Sequence, residues 1–318
     1  MPENARPSRS DDIVETMLHV RLNLVLALIL GRSTLGPLAE TDPAASAASD
    51  APLAGPPVVV ALDPGHGGTN LGASGPGRGI FEKNVTLALA DRIRVLLERS
   101  SEPRISVVLC RESDLMVPIR ARARCAEDAG ARLFISLHAN AVPAGVRPGS
   151  QHGFEVFVLG PREVEDDATL ATLVRVSERG RFEKTSIARS QARLPSPAVS
   201  QSDDAEAAWA AHEVRAAAEQ SIVLARVIAD ALTEMLGEDA RRGIKQSGAA
   251  LDVLRGTGTP AALVEVGFLD HPEEGARLAT IPGREPVAQA LAAAIRTYVH
   301  AEARSPRQAP DQSAPPAP

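Results

Sequence analysis

A chain of 318 residues is long enough to bury one large core or two modest ones. Its formal net charge of -6, from 34 Lys and Arg against 40 Asp and Glu, excludes the clustered basic surface that a phosphate-backbone binder needs, so nucleic acid is not an expected partner. The two cysteines, Cys110 and Cys125, lack the spacing of a zinc–thiolate site; they either pair in an oxidising compartment or serve as small buried hydrophobes.

Residues 1–56 and 304–318 are rich in Pro, Ala, Ser and Asp, with too little periodic apolar sequence to repay the entropy of ordering. They are expected to be a disordered linker and tail around one folded unit at 57–303. Within the first segment, Leu22 to Leu30 (LNLVLALIL) follows His19 and Arg21 and reads as the apolar stretch of a secretory signal. It falls short of the roughly 20 apolar residues of a relaxed spanning helix, so no stable membrane span is expected. Asp11, Asp12 and Glu15 precede it, against the usual positive leader, which points to Met17 as the true start. The other reading of this run is an amphipathic helix packed on the domain. Export to the periplasm or cell envelope is the expectation.

Pro57 to Leu62 (PVVVAL) is a β-branched run that stops at Asp63-Pro64-Gly65, which predicts a strand buried on both faces and ending in a turn. From Glu82 to Arg99, Val85, Leu87, Leu89, Ile93, Leu96 and Leu97 recur near helical spacing, which predicts a helix of several turns. Ile105 to Leu109 predicts a strand, Pro118 to Ala129 a helix with Pro at its start, and Leu133 to Leu137 (LFISL) a strand running into His138. Phe154 to Leu159 is a further strand. Pro161 to Ser202 is charged and poorly periodic, interrupted at Leu194-Pro195-Ser196-Pro197, and reads as an insertion rather than core. A long helix is expected from Asp203 to Leu236, capped by Gly237, followed by a short edge segment at Val253-Leu254, a buried strand at Ala261 to Val266 and a final helix at Pro286 to Ala303. The alternation predicts an α/β fold: a mixed, mostly parallel open sheet flanked by helices, forming a single catalytic domain with an insertion.

Open α/β sheets place their sites in the crevice at the carboxyl ends of the strands. Three strand ends here carry groups a metal ion would use: His66 after the first strand, His138 after Leu133 to Leu137, and Glu265 in the last strand. Glu82, where the first long helix begins, is a fourth. Two imidazoles and a carboxylate with an open fourth position make a catalytic zinc shell, and a further carboxylate supplies a general base. Taken singly each has an ordinary explanation: a His after a strand is usually a hydrogen-bonded loop residue, and a Glu in a first helical turn favours the helix dipole. Glu265 is harder to dismiss, because it sits in the apolar run Leu263 to Phe268 and burying an unpaired carboxylate costs several kcal/mol.

Four segments in order resemble the zinc-dependent N-acetylmuramoyl-L-alanine amidases of the type 3 family, the cell-division amidases among them: LDPGHGG at Leu62 to Gly68, Glu82-Lys83, SLHAN at Ser136 to Asn140 and VEVGFLDH at Val264 to His271. Arg111, Asp114, Arg120, Gly243-Ile244-Lys245 and Val253-Leu254-Arg255 are supporting matches, so the resemblance spans Val58 to Tyr298. It implies that His66, Glu82 and His138 bind Zn2+ and that Glu265 is catalytic. The implied substrate is peptidoglycan, cut between the muramoyl lactyl group and L-alanine. Zinc chemistry then activates a water, and Glu265 accepts its proton and passes it to the leaving amine. Asn140 either orients a ligand or caps a turn. The family usually carries Thr at Cys110, an aromatic near Leu251 and Asn at His271, departures that touch packing rather than the proposed ligands. In regulated relatives an insertion covers the zinc until an activator displaces it; here 161–215, with Glu206, Trp209 and Glu213, is the comparable segment. Against a zinc carboxypeptidase stands the distance in sequence between His66 and Glu82. A non-catalytic wall-binding or regulatory protein on the same fold is the alternative, but such a protein would be expected to have lost a ligand or the base.

Overall fold

The computed structural model describes residues 56–304, apart from 78, 100–103, 188–200 and 247–250, all within a unit running from Ala54 to Pro318. The signal-like segment and the C-terminal tail expected from the sequence lie outside the described residues. Six strands are described: β1 (Val58–Pro64), β2 (Ile105–Leu109), β3 (Leu133–Asn140), β4 (Phe154–Val158), β5 (Arg241–Gln246) and β6 (Ala261–Phe268). They form one sheet in the order β2-β1-β3-β6-β4-β5. β2, β1, β3 and β6 run parallel; β4 is antiparallel to β6 and parallel to β5. The sheet is therefore mixed and mostly parallel, as the alternation of strand and helix predicts.

Side chains alternate across each strand, so each face of the sheet is written in every second residue. One face carries Val60 and Leu62 of β1, Leu133, Ile135 and Leu137 of β3, Phe154 and Val156 of β4, and Val264 and Val266 of β6. Three helices cover it: α1 (Glu82–Glu98), α4 (Gln201–Leu236) and α6 (Ile281–Arg304). Their buried residues recur four apart, as Val85, Leu89, Ile93 and Leu97 on α1, Leu224, Ile228 and Leu232 on α4, and Val287, Leu291 and Ile295 on α6. Each fully buried aliphatic side chain contributes roughly 1.5–3 kcal/mol, which makes this layer the principal source of stability.

The opposite face holds a smaller cluster: Ala61, Phe134 and Leu263 against Ala126 of α2 (Ile119–Asp128) and against Leu251, Val253 and Leu254. Its apolar cover stops at Phe134 and Leu263. The next positions on the same face are Asp63 on β1, Ser136 and His138 on β3, and Glu265 on β6. The change from apolar to polar along one face marks where the core ends and the site begins.

Four elements differ from expectation. Pro161–Ile187 is helical (α3) and packs on α4, with Val164 and Ala168 buried, so the first part of the insertion adds a helix to the domain. Its charge and weak periodicity conceal this because only a narrow stripe is covered. β5 escapes sequence reading because Arg-Arg-Gly-Ile-Lys-Gln holds a single apolar side chain, Ile244, against the core and is otherwise polar, which an edge strand tolerates. Val253-Leu254 lies in a short 3-10 turn (Asp252–Leu254) instead of an edge segment, and a further helix α5 (Pro272–Leu278) follows β6. Cys110 and Cys125 form a disulfide, which settles the choice left open by their spacing.

Candidate active site

Each functional side chain is placed by an element that ends nearby. β1 stops at Pro64, and the loop turns back through His66, whose φ of 62° is unusual for a residue with a side chain. Left-handed backbone of this kind costs on the order of 1 kcal/mol and persists where surroundings over-determine it. Here two arginines do so. Buried Arg111 donates to the carbonyls of Pro64 (3.0 Å), Gly65 (3.0 Å) and Lys83 (2.8 Å). Buried Arg122 donates to the carbonyls of Pro64 (2.7 Å) and His66 and to Asp63 Oδ1 (2.6 Å), while Ser136 Oγ donates to Asp63 Oδ2 (2.8 Å). Gly65 must be glycine, since a Cβ there would lie 2.4 Å from the His138 ring.

Glu82 opens α1 and points back into the loop. Its Oε1 accepts from Ala139 N (3.0 Å) and lies 2.9 Å from His138 Nδ1; its Oε2 accepts from Ala73 N (2.8 Å) and lies 2.9 Å from His66 Nε2. The ligand atoms of His66, Glu82 and His138 fall within 4.8 Å of one another. Burial would raise the Glu82 pKa, but the hydrogen bonds and charges of His138 and His66 reverse this and hold it far below the usual carboxylate range.

The hydrogen-bond arithmetic at His66 fits a cation. Its Nδ1 lies 2.9 Å from Asn70 Oδ1, an oxygen identified by the bond it accepts from Gly72 N (3.3 Å). A neutral imidazole has one N–H, and if it goes to Asn70, Nε2 presents a lone pair to a carboxylate oxygen, two acceptors face to face. A divalent ion shared by Nε2 and Glu82 resolves this, and Asn70 then fixes the tautomer, as outer partners of metal-bound histidines do.

Glu265 stands beside this triangle. It is the Cα partner of His138 across β3 and β6, and of Glu155 across β6 and β4. Its Oε2 is buried without a hydrogen-bond partner among the described residues, and burial raises its pKa to about 7. All four residues singled out in the sequence thus come together. Asn140 does two things: Oδ1 accepts from Ala141 N (2.9 Å), closing the turn, and Nδ2 donates to Glu155 Oε2 (3.1 Å). The arginine of α2 that serves the site is Arg122; Arg120 is exposed. Among the described residues the donor triangle includes no member of 161–215, and Trp209 is 52% exposed.

Sequence reasoning passed over Asn70, Asp63, Arg122, Ser136 and Glu155. For Asp63 and Glu155 a signal existed: each is an acid inside an apolar strand, the same anomaly that singled out Glu265. Asn70 and Arg122 carry no such mark.

A triangle of cation donors and a base-capable carboxylate at the carboxyl ends of parallel strands is the arrangement of a metal-dependent α/β hydrolase. The family model described as N-acetylmuramoyl-L-alanine amidase matches residues 60–297, and the chain belongs to that family. It is 31% identical to the N-acetylmuramoyl-L-alanine amidase AmiA of Escherichia coli over 251 residues, covering 76% of each protein. A 37% identical match to a probable amidase AmiB of Haemophilus influenzae covers 35% of this chain and only 24% of that protein. In three dimensions the chain is similar to the amidase AmiC2 of Nostoc punctiforme, with a TM-score of 0.53 at 25% identity, covering 76% of this chain and 97% of that one.

Proposed function

We propose that this protein hydrolyses peptidoglycan at the amide between the lactyl group of N-acetylmuramic acid and L-alanine, with His66, Glu82 and His138 holding Zn2+ and Glu265 moving the proton. The observation that carries this reading is the meeting of three ligand atoms within 4.8 Å of one another with a buried acid whose Oε2 has no partner among the described residues. Zinc held there would polarise the scissile carbonyl and make a water acidic enough to attack near neutral pH. Glu265 would accept the proton of the attacking water and deliver it to the leaving nitrogen, so that both halves of the transfer run through one carboxylate. Glu82, oriented by the amides of Ala73 and Ala139, brings negative charge to the ion, and Asn70 keeps His66 in the tautomer that can ligate.

Residues 57–303 form the catalytic unit in this reading, with 1–56 a signal-like segment and linker and 304–318 a tail. The disulfide between Cys110 and Cys125 supports an exported enzyme of the periplasm or cell envelope, since such bonds persist in oxidising compartments. Among the described residues no helix is long and apolar enough to cross a membrane. The insertion at 161–215 exposes Leu170, Leu173, Val174 and Trp209, and this apolar surface supports its reading as the segment on which an activator acts.

A zymogram on peptidoglycan tests the reading. Clearing is expected to vanish with chelator and return with zinc, and Glu265→Ala should keep its zinc while clearing nothing. Wild-type protein that binds zinc yet clears no peptidoglycan would point instead to a non-catalytic wall-binding protein.

A further inference from the structure

Beside the catalytic triangle, β4 and β5 build a second charged group that the hydrolytic chemistry does not use. Glu155 is 3% exposed, and its Oε1 accepts from both Arg242 Nε and Lys245 Nζ, each at 2.6 Å. Its Oε2 accepts from Asn140 Nδ2 at 3.1 Å. The strand register sets His138, Glu265 and Glu155 side by side on one face of β3, β6 and β4, so this group adjoins the reacting centre.

One cation would neutralise Glu155; the structure supplies two, leaving a formal charge of +1 in a chain whose net charge is -6. Both cations reach solvent, with side chains 31% and 43% exposed for Arg242 and Lys245. Their donors are only partly spent. An ammonium has three N–H groups and Lys245 gives one to Glu155; Arg242 gives Nε to Glu155 and Nη2 to Gln151 Oε1 (2.8 Å). The Phe268 ring lies under the Arg242 guanidinium at 4.9 Å and limits its swing.

The direction of the substrate follows from the proposed chemistry. The carbonyl belongs at the His66, Glu82 and His138 triangle, and the leaving nitrogen must sit where Glu265 on β6 can protonate it. From β6 the sheet continues to β4 and then β5, so the peptide released by cleavage leads away toward Arg242 and Lys245. We propose that Arg242 and Lys245, tied in place by Glu155, form a subsite for a carboxylate of the departing stem peptide, and thereby select stems whose residue after alanine carries a free acid. This rests on the amidase reading above. Charge-assisted bonds from two cations should discriminate an acid from its amide by about tenfold or more.

The test compares two substrates on the zinc-loaded full chain, N-acetylmuramoyl-L-alanyl-D-glutamic acid γ-methylamide and N-acetylmuramoyl-L-alanyl-D-isoglutamine γ-methylamide, which differ only in whether the α-carboxyl after alanine is free or amidated. Wild type should favour the acid by about tenfold in kcat/KM. Arg242→Gln and Lys245→Met should raise KM for the acid about tenfold at nearly unchanged kcat and leave the amide unaffected, while Lys245→Arg should keep the preference. Calorimetry on Glu265→Gln should show the same loss of affinity for the acid when Lys245→Met is added. If the variants lose both substrates equally, or wild type cleaves both alike, the cations serve only as counter-ions to Glu155 and the subsite is refuted. If wild type cleaves neither, and neither it nor a variant lacking 161–215 clears peptidoglycan, the amidase reading itself fails and takes the subsite with it.

Discussion

Glu265 and Glu155 are buried acids on adjacent strands, and burial alone would raise the pKa of both. For Glu265 the rise stands, to about 7; for Glu155 hydrogen bonds from Lys245 and Arg242 overturn it and hold the group below the usual carboxylate range. The consequence for stability is opposite in the two cases. Glu265 has a folded pKa above its ordinary 4.5, so the stability of its protonated form is complete below about 4.5 and is lost as pH rises through about 7. Chelator-treated Glu265→Gln should therefore be more stable than wild type at pH above about 8, by up to roughly 3 kcal/mol, and indistinguishable below about 4.5; urea melts across that range check it. At Asn70 the prediction concerns the ion. Asn70→Ala should weaken zinc binding by about 10- to 100-fold, with activity restored by excess zinc, as seen in a competition titration with a chromophoric chelator.

The loop from Pro64 to Gly68 is held from outside by α2 and by the segment after β2. Arg122 forms a buried pair with Asp63, and removing one partner strands the other charge. Arg122→Met should destabilise the fold by about 3–5 kcal/mol, whereas Arg120→Ala, on the exposed side of the same helix, should stay within about 0.5 kcal/mol. Equal melting of these two variants would mean that the pair does not hold the loop. The disulfide ties the end of β2 to α2, closing a loop with a sequence separation of 15. Cys110→Ala with Cys125→Ala should cost about 3 kcal/mol, and dithiothreitol should lower the melting temperature of wild type but not of the double variant.

In the whole molecule, α3 and α4 form a pair, tied by Arg215 to Glu165 (2.7 Å), whose lower part completes the core through Leu224, Ile228 and Leu232 and whose upper part exposes Trp209. If this segment restrains the enzyme, a variant lacking 161–215 should clear peptidoglycan faster than the full chain at equal zinc content; equal or slower clearing counts against restraint. Strands β1, β2, β3, β4 and β6 and helices α1, α4 and α6 were legible in the sequence because each buries a repeating apolar face, and periodicity is the imprint of burial; α2, which buries Arg122 with two alanines, was legible from the proline at its start. His66 and Glu265 carried their own marks, a glycine-rich turn and a carboxylate in an apolar strand, whereas Glu82 and His138 stood out only by their places at a helix start and a strand end and by the family resemblance. What the chain order alone could not contain were the relations among distant residues: that Asn70 meets His66, that Arg122 and not Arg120 reaches Asp63, that Glu155 lies opposite Glu265, and that polar β5 joins the sheet. Those depend on strand order, register and helix phase, which arise only when hydrogen bonding between strands and packing between layers are satisfied together.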